Sequence, residues 1–284
     1  MKKFITTIVL AFAVVAAGRS QSMSALLIPT DAKSMAQAAS SVAFEPLDTL
    51  DAEVFFGKWA PKAAGNIMAG LDVWYRVNSK FALSLEGTYF KEKPYEVTSP
   101  VGLVSGSFAP NEMIFSLGGV FNAAEYLSIE LKAKVFNSKL SPDLSGSAFG
   151  ADIILRYHGQ GFNVAAGACN LGTPIKYGSG KDSYPMPMLA KVGGNYTNSG
   201  FTASAEFDYL FTGAVMAGLG LEYDIQNIVS VRAGYHYGDA EKAMPSFASL
   251  GLGARFSGVK LDLAYLLANP NIGGSFLLGL GYSF

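Results

Sequence analysis

From residue 51 onward apolar and polar side chains alternate at period two, the repeat of a strand with one greasy and one wet face. Between 126 and 136, Leu127, Ile129, Leu131, Ala133 and Val135 alternate with Ser128, Glu130, Lys132, Lys134 and Phe136. Between 201 and 209, Phe201, Ala203, Ala205, Phe207 and Tyr209 stand against Thr202, Ser204, Glu206 and Asp208. Between 259 and 267, Val259, Leu261, Leu263, Tyr265 and Leu267 share one face, and Lys260 and Asp262 lie on the other. The spacing predicts strands near 52–59, 66–77, 80–91, 111–122, 126–138, 146–157, 161–170, 187–197, 200–210, 213–224, 227–238, 246–256, 259–267 and 274–284. At roughly 3.3 Å per residue and a tilt near 40°, such lengths cross a hydrocarbon layer of about 25 Å.

The connections between these strands carry a second signal. Asn78-Ser79, Ala123-Ala124-Glu125, His158-Gly159-Gln160, Asn198-Ser199, Ile225-Gln226 and Ser257-Gly258 are tight, and the alternate connections 60–65, 92–110, 139–145, 171–186, 239–245 and 268–273 are longer. Phe211-Thr212 is short and breaks the rule. Tight turns on one rim and longer loops on the other characterise outer-membrane barrels. A β-sandwich also alternates, but it does not need so many apolar faces ending in aromatics. The chain reads as an all-β, transmembrane antiparallel β-barrel of about fourteen strands. Its surroundings are then the lipid of a Gram-negative outer membrane, with both termini on the periplasmic, tight-turn rim.

Composition agrees with that reading. The chain is 50% hydrophobic and 15% charged, low in charge for a water-soluble domain. A net charge of −1 gives no field for nucleic acid. Lys2 and Lys3 precede an apolar stretch from Phe4 to Ala17, and small residues follow, the layout of a secretory signal. Cleavage after Ala17, Ser20 or Ser22 fits, and we divide the chain into a signal (1–22), an N-terminal segment (23–50) and a barrel (51–284). No later run of eighteen apolar residues appears, so the greasy remainder crosses a membrane only as strands. Residues 31–43 are rich in Ala and Ser, with Asp31 placed as a helix N-cap. They form a short helix or coil that either tucks into the lumen as a plug or trails as a periplasmic leader.

Strand phase turns a set of ionisable residues inward: Asp72, Arg76, Glu86, Glu130, Lys132, Lys134, Asp152, Arg156, Glu206, Asp208, Glu222, Arg232, His236 and Arg255, with Lys191, Asp224, Lys260 and Asp262. Arg or Lys facing lipid at the midplane costs about 2–4 kcal/mol, which fixes the direction. The set serves either as ion pairs bracing the wall or as a polar conduit. Inward glycines such as Gly218, Gly220, Gly234 and Gly251 either leave room in the lumen or permit curvature. On the longest loops, Tyr95, Leu103, Phe108, Tyr177 and Tyr184 either fold over the mouth, form a partner-binding patch, or continue the strands above the membrane. Cys169 is the single cysteine and reads as a packing residue. His158 and His236 lie on different elements with no nucleophile at recognisable spacing. No catalytic residue, metal or cofactor is expected, and the chain does not read as an enzyme.

Several segments are also similar to a known family. Leu27-Ile28-Pro29-Thr30-Asp31-Ala32-Lys33-Ser34-Met35 resembles the opening of the mature PorV/PorQ outer-membrane proteins. Ala168-Cys169-Asn170-Leu171-Gly172-Thr173 resembles that family's Asn-Leu-Gly motif, and Pro187 to Gly193 its next strand. Leu219-Gly220-Leu221-Glu222-Tyr223 and Val231-Arg232-Ala233-Gly234-Tyr235 fit as well. The resemblance implies the architecture of the long-chain fatty-acid transporter FadL, fourteen strands with an N-terminal segment in the lumen. It also implies a role in type IX secretion, in which such barrels bind or anchor a protein partner. The chain departs from the family by passing almost directly from Ala43 into its first strand. Its last strand, Phe276, Leu278, Leu280, Tyr282 and Phe284 on one face, looks like the signal read by the barrel-assembly machinery. Three functions stay open: a PorV/PorQ-type barrel holding a secretion-system protein, a FadL-like passive transporter of a small hydrophobic compound, and a closed structural barrel.

Overall fold

The computed structural model describes residues 24–38, 40–46, 48–59, 66–98, 103–178, 183–239, 242–268 and 273–284. The secretory-signal reading of residues 1–22 lies outside the described residues. A 3-10 turn, Ser24–Leu27, and a short helix, α1 (Ala32–Ala36), precede the strands. These are β1 (Leu50–Lys58), β2 (Ile67–Arg76), β3 (Phe81–Lys91), β4 (Tyr95–Thr98), β5 (Val104–Phe108), β6 (Asn111–Ala124), β7 (Leu127–Ser141), β8 (Leu144–His158) and β9 (Phe162–Gly172). The second half holds β10 (Ile175–Lys176), β11 (Ser183–Tyr184), β12 (Leu189–Asn198), β13 (Phe201–Leu210), β14 (Val215–Ile225), β15 (Val229–Gly238), β16 (Phe247–Phe256), β17 (Val259–Leu267) and β18 (Phe276–Ser283).

Fourteen of these close into one antiparallel barrel, as the alternation predicts, and β4–β5 and β10–β11 form two small hairpin sheets above it. Each barrel strand neighbours the next in sequence, and β1 seals against β18 with Val54 opposite Leu280. Phe284 locks that seam: its N–H donates to Leu50 O at 3.0 Å, and its carbonyl accepts from Thr49 N at 2.7 Å. Full closure removes the free edges that would otherwise seek partners.

The period-two pattern has become inside and outside. Phe56, Leu83, Leu117, Leu131, Phe149, Leu219 and Leu250 are all at least half exposed on the outer wall, where lipid replaces water as their solvent. Aromatics mark the wall near the tight turns, where Tyr126, Tyr157 and Phe162 pack in a row with ring centroids 6.3 and 5.9 Å apart. Phe81 meets Phe121 at 5.1 Å on the same rim. Aromatics at membrane interfaces are anchored by an apolar ring beside wet headgroups.

One connection differs from the sequence expectation. The longer loop anticipated at 139–145 is strand: β7 and β8 run past the apolar zone as a paired ladder, Ser138 opposite Gly146 and Lys139 opposite Ser145, and only residues 142–143 turn. Asn137, Lys139, Ser145 and Ser147 face outward there, so the ladder continues where the outer face has become polar; Pro142 suits the tight turn. The two long loops also behave differently from one another. In β4–β5, Tyr95 pairs with Phe108, but Leu103 and Val104 are 69% and 59% exposed, so this hairpin stands out rather than folding inward. In the second loop Ile175 and Met186 are buried and Tyr177 is half-buried, while Tyr184 stays on the surface.

Candidate functional site: a lumen in two layers

Inward-facing side chains divide by height. Nearer the tight turns lies an ionic belt. On β7 and β8, Glu130 receives Arg156 at 2.6 Å and Lys132 at 3.3 Å, and Lys132 also pairs with Glu86 of β3. Lys134 meets Asp152 at 2.7 Å, and Asp152 accepts the Asn170 N–H at 2.8 Å. On β12 and β13, Lys191 lies 2.5 Å from Glu206 and 3.3 Å from Asp208. On β14 to β17, Arg232 is 1% exposed and pairs with both Glu222 and Asp262. Lys260 pairs with Asp51 of β1. Taking charges out of water is costly, and only close pairing with opposite charge, backed by further hydrogen bonds, offsets it. The belt meets that condition by placing each of these cations against one or two carboxylates.

Five residues of the inward set make no ion pair among the described residues: Asp72, Arg76 and Arg255, with Asp224, which accepts the Ser230 hydroxyl, and His236, which lies higher. Asp72 is half-buried opposite Glu86 in register and has no ion pair among the described residues. Arg76 donates instead to Pro46 O at 3.0 Å. Arg255 holds the inward phase of β16 but is exposed at the tight-turn rim, opposite the like-charged Lys260, and it makes no ion pair among the described residues. At that height the strands end and water reaches the guanidinium, so no partner is required.

The N-terminal segment lies within the belt. Asp31 caps α1, its side chain accepting the Ser34 N–H at 2.6 Å. The helix packs on β15 to β18, with Ala32 and Ala36 fully buried. Lys33 reaches Glu222 at 3.4 Å, and Ser249 Oγ donates to Ala36 O at 2.8 Å. Downstream, Glu206 accepts the Ser41 and Val42 N–H groups at 2.8 and 2.7 Å, while Arg156 Nε donates to Val42 O at 2.9 Å. Asn195 holds Ala43 O at 3.2 Å. The inward glycines take their meaning from this segment. A Cβ at Gly234 would come within 2.7 Å of Ala38 N and 2.8 Å of Ala38 Cβ, so the room they leave is filled by backbone.

Nearer the loops the same inward phase becomes apolar. On β7 the run Glu130, Lys132, Lys134 ends in Phe136, which is fully buried. On β13 Glu206 and Asp208 lead to Leu210, also fully buried, and on β3 Glu86 and Thr88 lead to Phe90. Leu266, Leu277 and Met68 complete the layer from β17, β18 and β2. His236 belongs to this boundary rather than to the ion pairs: its ring stacks on Phe247 at 4.8 Å, and its Nδ1 lies 3.3 Å from Ala38 O. The period-two alternation of polar and apolar faces concealed this layer because phase distinguishes inside from outside but not height. The available signal was the single large apolar residue closing each inward charged run.

Above the apolar layer a cavity of about 380 Å³ opens among the loops. Leu27 and Ile28 of the N-terminal segment form one wall; Trp59, Phe90 and Met244 contribute apolar surface, and Glu92, Glu112 and Lys242 polar surface. Of the loop residues singled out in the sequence, Tyr95 donates its hydroxyl to Leu140 O at 3.1 Å, and Phe108 carries the Lys139 ammonium 5.6 Å above its ring. Tyr177 and Tyr184 meet edge to face at 6.0 Å. Burial pushes the Tyr177 phenol pKa up. None of these four, nor Leu103, lines the cavity. Cys169 is buried, and no group of three potential metal ligands occurs among the described residues.

No family model matches the chain, and no curated protein matches it. Solved structures do. A TodX mutant described as a monoaromatic hydrocarbon channel superposes with a TM-score of 0.59 at 11% identity, covering 95% of this chain and 100% of that one. The Ralstonia pickettii toluene transporter TbuX gives 0.59 at 9% identity, covering 96% and 100%. The P. putida toluene transporter TodX gives 0.56 at 12% identity, covering 90% and 95%. The chain has this FadL-like outer-membrane barrel fold. At such identities the likeness is one of fold.

Proposed function

We propose that the protein is a passive outer-membrane channel for a small hydrophobic compound, with residues 24–46 as a luminal plug. The observation that carries this reading is the apolar layer at the loop end of the lumen, capped by a cavity that opens among the loops. A barrel needed only as a brace has no use for buried Phe, Met and Leu side chains facing its own interior beneath an open cavity. Apolar surface there offers a site of low water content to a molecule leaving solution. The ionic belt below denies that molecule a straight path, so its passage requires the plug to shift or the wall to part. The fold neighbours named as toluene transporters support the choice of cargo. In this reading the loop rim faces outward from the cell, the tight-turn rim faces the periplasm, and Phe284 remains the candidate contact for the barrel-assembly machinery.

Uptake of radiolabelled toluene by cells with and without the protein tests the proposal. Faster uptake with the protein is expected, with part of the gain lost in Trp59→Ala. Equal uptake in both strains removes the reading. A second reading, anchoring of a secreted protein as the PorV/PorQ resemblance implies, is favoured by one observation, the exposed Leu103 and Val104 on the β4–β5 hairpin. It expects a secretion-system protein to be captured by the wild type and lost when both residues become Ser.

A further inference from the structure

Within the transport reading, on which this step rests, the structure assigns the mouth cavity a preference for a monoaromatic compound bearing a hydrogen-bond-donating group, phenol-like or aniline-like, over a bare hydrocarbon. The placement comes from a single row of inward side chains across four strands. Met68 on β2 lies opposite Phe90 on β3, Phe90 opposite Glu112 on β6, and Glu112 opposite Ser138 on β7. Adjacent strands are about 4.8 Å apart. An aromatic ring resting on Phe90 therefore brings a substituent on that ring to the neighbouring carboxylate of Glu112.

The carboxylate is held for such a contact. Ser138 Oγ donates to Glu112 Oε1 at 3.3 Å, which fixes the side chain from the strand beyond. Glu112 is half-buried, whereas both cations on the same cavity, Lys91 and Lys242, are exposed, so the charge with least water around it is negative. Glu92 adds a second carboxylate to the lining. Burial pushes the Glu112 carboxyl pKa up to about 7, so the preference belongs to pH values above neutral, where the ionised carboxylate only accepts hydrogen bonds. A hydroxyl or amino group on the ligand replaces the water it loses, whereas a hydrocarbon strips that water and returns nothing. An anionic substituent meets like charge.

Trp59 reports on the cavity it lines, and the chain holds one other tryptophan, Trp74, in a separate cluster with Ala82 and Val120. A Trp74→Phe protein in lipid nanodiscs, titrated with nitrobenzene, meta-nitrophenol and meta-nitrobenzoate against empty nanodiscs, therefore tests the preference by quenching. The expected order is meta-nitrophenol roughly tenfold tighter than nitrobenzene, the size of a hydrogen bond to a charged acceptor, with meta-nitrobenzoate weakest. Glu112→Leu should bring meta-nitrophenol to the level of nitrobenzene, and Glu112→Gln should keep part of the difference. Equal binding of meta-nitrophenol and nitrobenzene overturns the preference and leaves the transport reading standing. Quenching by none of the three removes both. The ratio in the wild-type cavity decides the matter even if the Leu variant does not fold.

Discussion

The belt and the apolar layer above it are built on the same strands, in the same phase, a few residues apart, and they hold the lumen shut by opposite means. In the belt Arg232 is buried because Glu222 and Asp262 face it. In the layer above, Leu210 is buried because its neighbours are as apolar as itself. The first arrangement is specific and unforgiving: a missing partner leaves an uncompensated charge. The second tolerates replacement and even occupation, since an apolar guest makes the same contacts as an apolar side chain. The difference shows where a barrel lumen can host a ligand and where it can only be braced.

Arg232→Met should produce the largest effect, because Glu222 and Asp262 would then face each other across a dry site with only Lys33 nearby. A loss of about 3–5 kcal/mol is expected from urea midpoints of the protein in vesicles. A loss under about 1 kcal/mol, typical of solvated pairs, would show that water fills the belt. Leu210→Ala should cost about 2 kcal/mol, the low end of such truncations, because a guest or water from the mouth can occupy the space. Restoration of its midpoint by added toluene, with no such restoration in Arg232→Met, would sharpen the contrast. Met216 is buried on β14 near its loop end; Met216→Leu keeps its volume and should cost less than about 1.5 kcal/mol in the same titration. Arg255→Gln should move the midpoint by no more than about 0.5 kcal/mol, since that side chain is wet and unpaired among the described residues. A larger change there would place the belt lower than the geometry does.

Much of the barrel was legible in the chain. Alternation assigned Glu130, Lys132 and Asp208 to the inside because charges facing lipid are penalised, and it set the strand count because each strand needs only local sequence to declare its faces. Loop conformation was less legible: 139–145 reads as a loop by its Ser and Pro content, yet β7 and β8 pair through most of it. The cavity was the least legible part. Trp59, Leu27 and Met244 come together from segments far apart in sequence, and nothing in the local pattern of any one of them points to the others. Phe136 and Leu210 were visible as apolar residues in a polar phase, but their shared height emerges only once the registers of neighbouring strands are known.

The division of the lumen is tested most directly by anomalous diffraction from crystals soaked in bromobenzene. The expected result is bromine density in the mouth cavity or the apolar layer, beside Trp59, Phe90 and Met244, with the belt between Glu130 and Glu222 empty of it. Density threading the ion pairs, or found solely on the outer wall, would contradict a lumen that binds apolar guests above and excludes them below.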